Sequence, residues 1–183
     1  MIDGWLRLGL SVTAFSWRGL ALAGVVLAAA VRMDAALAAP PSLVGKDAPD
    51  FVLRGLDGKN LRLSEYRGQV VLVNFWARWE GDSRQEMQAL DRINTTYQRA
   101  GLVVLGISVD EDLRRAREFA NSMAVSYPIL LDTGSNIGKD YLLQKMPVTM
   151  LVDRAGIVRY SAVGFKRGDE ETYLAQIRKL LRE

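Results

Sequence analysis

The stretch Val70–Phe75 (VVLVNF) is an unbroken apolar run with a single amide in it, and it constrains this chain more than any other segment. A strand with one wet face would alternate apolar and polar residues, so a continuous run fits a strand buried on both faces. A second run of the same kind spans Leu102–Val109. Between them, residues 83–100 place Met87, Leu90, Ile93 and Tyr97 on one helical face, and Gly101 follows as a stop. Two doubly buried strands joined by a helix require a sheet covered on both sides, which predicts an α/β fold.

The flanking segments extend that sheet. Phe51–Leu53 and Leu61–Leu63 bracket Asp57-Gly58, a dipeptide that favours a hairpin turn, and Ser64 opens one helical turn ending at Gly68. Residues 112–123 form a helix with Leu113, Ala116, Phe119 and Ala120 inward. Pro128–Leu131 extends briefly, and a short helix follows near Ile137–Leu142. Val148–Val152 and Ile157–Val163 are joined by the turn at Asp153-Arg154-Ala155-Gly156, a link short enough to make them antiparallel. Tyr173, Leu174, Ile177, Leu180 and Leu181 line one face of a final helix, Asp169–Arg182. The expected architecture is a mixed central sheet with helices on both faces and an N-terminal β-hairpin extension.

Composition removes whole classes of chemistry. The 183 residues include no cysteine and no histidine, so thiolate nucleophiles, haem attachment, the usual zinc sites and imidazole acid–base catalysis lose their groups. Carboxylates, hydroxyls, Lys and Arg remain. The net charge of +3 is scattered, with no basic run that would mark a nucleic-acid partner. No cofactor is expected.

Residues 1–38 read as an export segment. Arg7 and Arg18 precede the apolar run Gly19–Val31, and Ala36-Leu37-Ala38 fits a signal-peptidase site. The competing reading is an uncleaved membrane anchor, lengthened by Leu8–Trp17. Either way the rest of the chain is expected in the periplasm or on the outer face of the cytoplasmic membrane. Residues 39–48 form a lead-in, and residues 49–183 the folded domain.

Three segments carry a family resemblance. Gly45-Lys46-Asp47-Ala48-Pro49-Asp50-Phe51 is similar to a G-x-x-A-P-x-F opening. Val73-Asn74-Phe75-Trp76-Ala77-Arg78-Trp79-Glu80-Gly81-Asp82-Ser83-Arg84-Gln85-Glu86-Met87 resembles V-N-F-W-A-x-W-C-x-x-C-x-x-E-M. Met146-Pro147-Val148-Thr149, followed by Leu151-Val152-Asp153 and Gly156, is similar to a cis-proline loop and the strand after it. Together they resemble the exported TlpA-like and ResA-like branch of the thioredoxin superfamily, related to the AhpC/TSA and Redoxin proteins. The resemblance implies a thioredoxin-like fold and thiol–disulfide oxidoreductase activity of the cytochrome c maturation type. Here, however, the C-x-x-C positions hold Glu80, Gly81, Asp82 and Ser83. Disulfide exchange needs one thiolate to attack and a second sulfur to resolve the mixed disulfide, and this chain supplies neither.

In the fold so implied, Glu80-Gly81-Asp82-Ser83 opens a long helix, where free N–H groups and the helix dipole favour negative charge. Ser83 and Glu86 spell a capping box and are expected to cap that helix. Glu86 also matches the family glutamate that tunes the thiols. Trp79, Glu80, Asp82, Met146, Pro147 and Val148 are the candidate partner-binding surface, with Pro147 pairing an extended peptide through the backbone, while Trp76 packs inside. The leading expectation is a redox-inert protein that binds or escorts exported proteins or peptides, touching the membrane only through an uncleaved N-terminus. The alternatives are an enzyme using Glu80 or Asp82 as acid or base, or a decayed paralogue. No catalytic residue and no metal site is assigned: Glu80, Asp82 and Glu86 resemble no calcium loop, and Arg78 and Arg84 are expected to neutralise the carboxylates.

Overall fold

The structure is a computed structural model, and it describes residues 42–132 and 137–183. The export segment read at residues 1–38 lies outside the described residues. Seven strands form one mixed sheet: β1 (Val52–Gly55), β2 (Asn60–Arg62), β3 (Val70–Trp76), β4 (Leu102–Ser108), β5 (Ile129–Leu131), β6 (Val148–Val152) and β7 (Val158–Val163). Their spatial order is β2-β1-β5-β4-β3-β6-β7. The parallel pairs β3–β4 and β4–β5 are linked through α1 (Gly81–Tyr97) and α2 (Leu113–Met123), whereas β6 and β7 run antiparallel at the far edge. α3 (Ile137–Asp140) precedes β6, and α4 (Asp169–Arg182) closes the chain.

Every residue of β3 is buried, as its unbroken apolar run requires. Alternate side chains divide between two cores. Val70, Leu72 and Trp76 face α1, α2 and α4, whereas Val71, Val73 and Phe75 face the opposite side. That second side is covered by α3, the 3₁₀ turn Leu63–Tyr66 and the lead-in residues rather than by a long helix. Helices therefore lie on both faces, but unequally.

Residues 45–48 act as a partial eighth strand. Gly45 N–H donates to Val158 O at 2.8 Å, and Val158 N–H donates to Lys46 O at 2.9 Å. A 3₁₀ turn, Gln98–Ala100, follows α1, and Gly101 caps it with φ at 96°, a left-handed conformation open to glycine, which turns the chain directly into β4.

Candidate functional site

The altered motif sits at the C-terminal end of β3. Phe75 lies directly opposite Val148 in the β3–β6 register, so the loop after Trp76 and the Met146–Pro147 loop before Val148 emerge at the same end of the sheet. The Met146–Pro147 peptide bond is cis. Pro147 and Val148 are buried and Met146 is half-buried. Trp79 is 59% exposed, in contrast to its neighbour Trp76, which is fully buried and packs against Phe119.

α1 begins at Gly81, with Glu80 as its N-cap residue and no side-chain cap. The expected capping box is therefore corrected. Ser83 is the third residue of the helix and fully buried, and its hydroxyl accepts a long 3.4 Å bond from Ala77 N–H. Its own N–H donates to Glu80 O rather than to any cap formed with Glu86. The reason is the helical period: Ser83, Glu86, Met87, Leu90 and Asn94 share one buried stripe, so Ser83 and Glu86 face the core.

Glu86 is the centre of a buried polar cluster. Its carboxylate accepts from Asn74 Nδ2 at 2.7 Å, from Thr149 Oγ1 at 2.8 Å and from the Tyr173 hydroxyl at 2.7 Å. Asn74 also donates to Thr149 Oγ1 at 3.0 Å, the two residues being direct cross-strand partners. One carboxyl thus ties together β3, α1, β6 and α4, and it binds β6 two residues beyond Pro147. Burial pushes the Glu86 carboxyl up to about 7, outweighing the three hydrogen bonds that favour its charged form. The same burial, with the Glu86 charge beside it, raises the Tyr173 hydroxyl.

Reading the sequence did not assign site roles to Asn74, Thr149 and Tyr173. The available signal was Asn74, the lone polar residue in an otherwise apolar buried strand, which must find a partner. A fourth missed residue is Asp110. It is buried, accepts from Arg78 N–H at 3.1 Å and from the Ser108 hydroxyl at 2.9 Å, and stands 3.5 Å from Arg78 Nε. It anchors the loop that carries Trp79.

The arginines do not neutralise the motif as expected. Arg78 pairs with Asp110, and the Arg84 guanidinium lies 4.8 Å over the Phe119 ring. Asp82 is exposed and Glu80 half-exposed, and among the described residues neither is in an ion pair. Two carboxylates and an exposed indole therefore mark the start of α1, where the helix dipole favours their charge. Among the described residues no group of three or more acidic side chains is placed to hold a metal ion. Asn94-Thr95-Thr96 has the Asn-x-Ser/Thr spacing of a glycosylation acceptor, but it lies inside α1, with Asn94 buried and donating to Ser126 Oγ.

This fold and site define a thioredoxin-like domain whose redox position carries no sulfur. The AhpC/TSA family model matches residues 44–161, and the chain belongs to that family, within the ResA-like branch of the thioredoxin superfamily. It is 34% identical over 121 residues to the thiol-disulfide oxidoreductase ResA of Geobacillus thermodenitrificans (strain NG80-2), covering 66% of this chain and 70% of that protein. The thioredoxin-like protein YneN of Bacillus subtilis (strain 168) is also 34% identical, over 66% of this chain and 71% of its own length. Among solved structures, a candidate thiol:disulfide interchange protein DsbE from Chlorobium tepidum superposes with a TM-score of 0.74 at 30% identity. The superposition covers 77% of this chain and 99% of that one.

Proposed function

We propose that this chain is a redox-inert member of its family that binds other exported proteins through the surface around Trp79, Glu80, Asp82 and the Met146–Pro147–Val148 loop. The observation that carries the reading is a scaffold kept in order around a redox position without sulfur. Glu86 accepts from Asn74, Thr149 and Tyr173 beneath the motif, and Asp110 holds its loop, while above them lie the exposed Trp79 indole, the exposed Asp82 and the half-exposed Glu80, neither carboxylate in an ion pair among the described residues. Exposure of Asp82 argues against the acid–base alternative, which needs the reacting carboxyl in a closed pocket. Residues 1–38 supply export or anchoring in this reading, which puts the domain in the periplasm or at the outer face of the cytoplasmic membrane.

Two measurements test it. Insulin reduction with a dithiol reductant should not exceed the protein-free blank, and clear turnover would overturn redox inertness. Crosslinking in the native envelope should lose defined partners on Trp79→Ala or Glu80→Ala. Unchanged capture in both variants would remove the motif surface as the binding site.

A further inference from the structure

We infer that the outer edge of β7, together with the apolar cleft beside it, is a second docking surface that takes an extended peptide segment with alternating apolar side chains and a carboxylate. This rests on the binding reading and deepens it by naming a recognition chemistry, at a cleft that adjoins the motif surface through Val148 and lies away from Trp79, Glu80 and Asp82.

The backbone supplies the first half of the case. β7 is the last strand of the sheet. Gly164 N–H donates inward to Pro147 O at 2.7 Å, so the alternation of the β6–β7 ladder turns the backbone groups of Ser161 and Val163 outward. Among the described residues nothing bonds to them there. The described part of the lead-in covers the beginning of this edge, by pairing Gly45 and Lys46 with Val158 and Asp47 with Ile157. At Gly45, whose φ is 84°, the covering strand ends. Among the described residues, pairing is thus seen on the first half of the edge and not on the second. An exposed strand edge is a template for a further strand.

The side chains supply the second half. Three of the large apolar residues exposed in the described chain, Val44 (47%), Leu142 (38%) and Val163 (63%), line one cleft of about 350 Å³ floored by Val148 and Met150. Ser161 and Val163 point the same way across the sheet, so a strand paired with them would drop every second side chain into this cleft. Leu142 has φ at 56°, a conformation β-carbon sterics disfavour, and in it the side chain remains exposed at the cleft rather than folded into the core. The only charge on the lining is Lys145, exposed and in no ion pair among the described residues. A carboxylate on the segment complements it.

The test uses the full chain and a fluorescein-labelled octapeptide of alternating Val and Thr ending in Glu, read by fluorescence anisotropy and by amide resonances. Binding should shift the Ser161 and Val163 amides, and replacing the terminal Glu by Lys should weaken it about tenfold. Lys145→Glu, an exposed loop change that the fold tolerates, should reverse that preference. An octapeptide with Pro at a central position should bind poorly, because it lacks the N–H that pairing needs. The inference fails if the Pro peptide binds equally well, if Lys145→Glu leaves the charge preference intact, or if the two amides do not move. It fails too if this edge proves occupied by a second copy, seen as a concentration-dependent dimer that the octapeptide cannot displace. If Trp79→Ala abolishes octapeptide binding while Lys145→Glu does not change it, the segment sits on the motif surface. The docking surface proposed here is then wrong while the motif reading stands.

Discussion

The buried carboxyl of Glu86 should make the stability of this protein fall as pH rises through the neutral range, and Glu86→Gln should abolish that fall. An ordinary glutamate titrates near 4.5, and burial holds Glu86 at about 7 in the folded chain. Between those values the folded chain keeps a proton that the unfolded chain has lost. Stability is therefore greatest below about pH 4.5 with respect to this group, declines by about 1.4 kcal/mol per pH unit, and is lost above about pH 7. The whole interval corresponds to about 3 kcal/mol, or a melting temperature lower by about 10 °C at pH 8 than at pH 5. The window is unusually clean, because the chain has no histidine or cysteine to titrate within it. Carboxyls held below their ordinary values, such as Asp50 and Asp153, lose their contribution only as pH falls below about 4. Glutamine keeps the shape, and its amide can face Asn74, whose Oδ1 has no partner among the described residues. Urea unfolding at several pH values between 5 and 8 measures the slope. A flat wild-type profile, or an equal slope in Glu86→Gln, would refute the account of a proton held in the cluster.

Other changes probe the site and its supports. Asp110→Ala removes the acceptor of Arg78 N–H and the Ser108 hydroxyl and should cost about 2–3 kcal/mol by urea unfolding, with faster amide exchange across residues 77–80. Gly106→Ala should cost about 1–3 kcal/mol by the same measurement, since its added carbon would lie 2.6 Å from Ile129 Cδ1 and 3.0 Å from Tyr127 Cε2. The double change Glu80→Cys with Ser83→Cys should give insulin reduction clearly above the wild-type level, because it returns a thiol pair to the start of α1. If activity stays at the blank although the pair forms a disulfide, the scaffold has lost more than its sulfur.

β3 was legible because a doubly buried strand has no choice but to be apolar throughout, and α1 because Met87, Leu90 and Ile93 recur with the helical period. The absence of cysteine is a property of the sequence alone, and so is the chemistry it removes. The misassignment at Ser83 and Glu86 arose because a capping box and a core-facing stripe share the same spacing of three, and local pattern cannot choose between them. Only tertiary packing decided: the sheet covers that face of α1, and Asn74 and Thr149 arrive from strands 12 and 63 residues away in the chain to meet the carboxyl. The same holds for Lys145, Val163 and Val44, distant in sequence and brought to one cleft by the edge position of β7. The fold and the loss of sulfur chemistry are written in composition and periodicity, which are local properties of the chain. Which polar groups are buried together, and which side chains line one cleft, depends on contacts between distant segments and emerges only when the chain is folded.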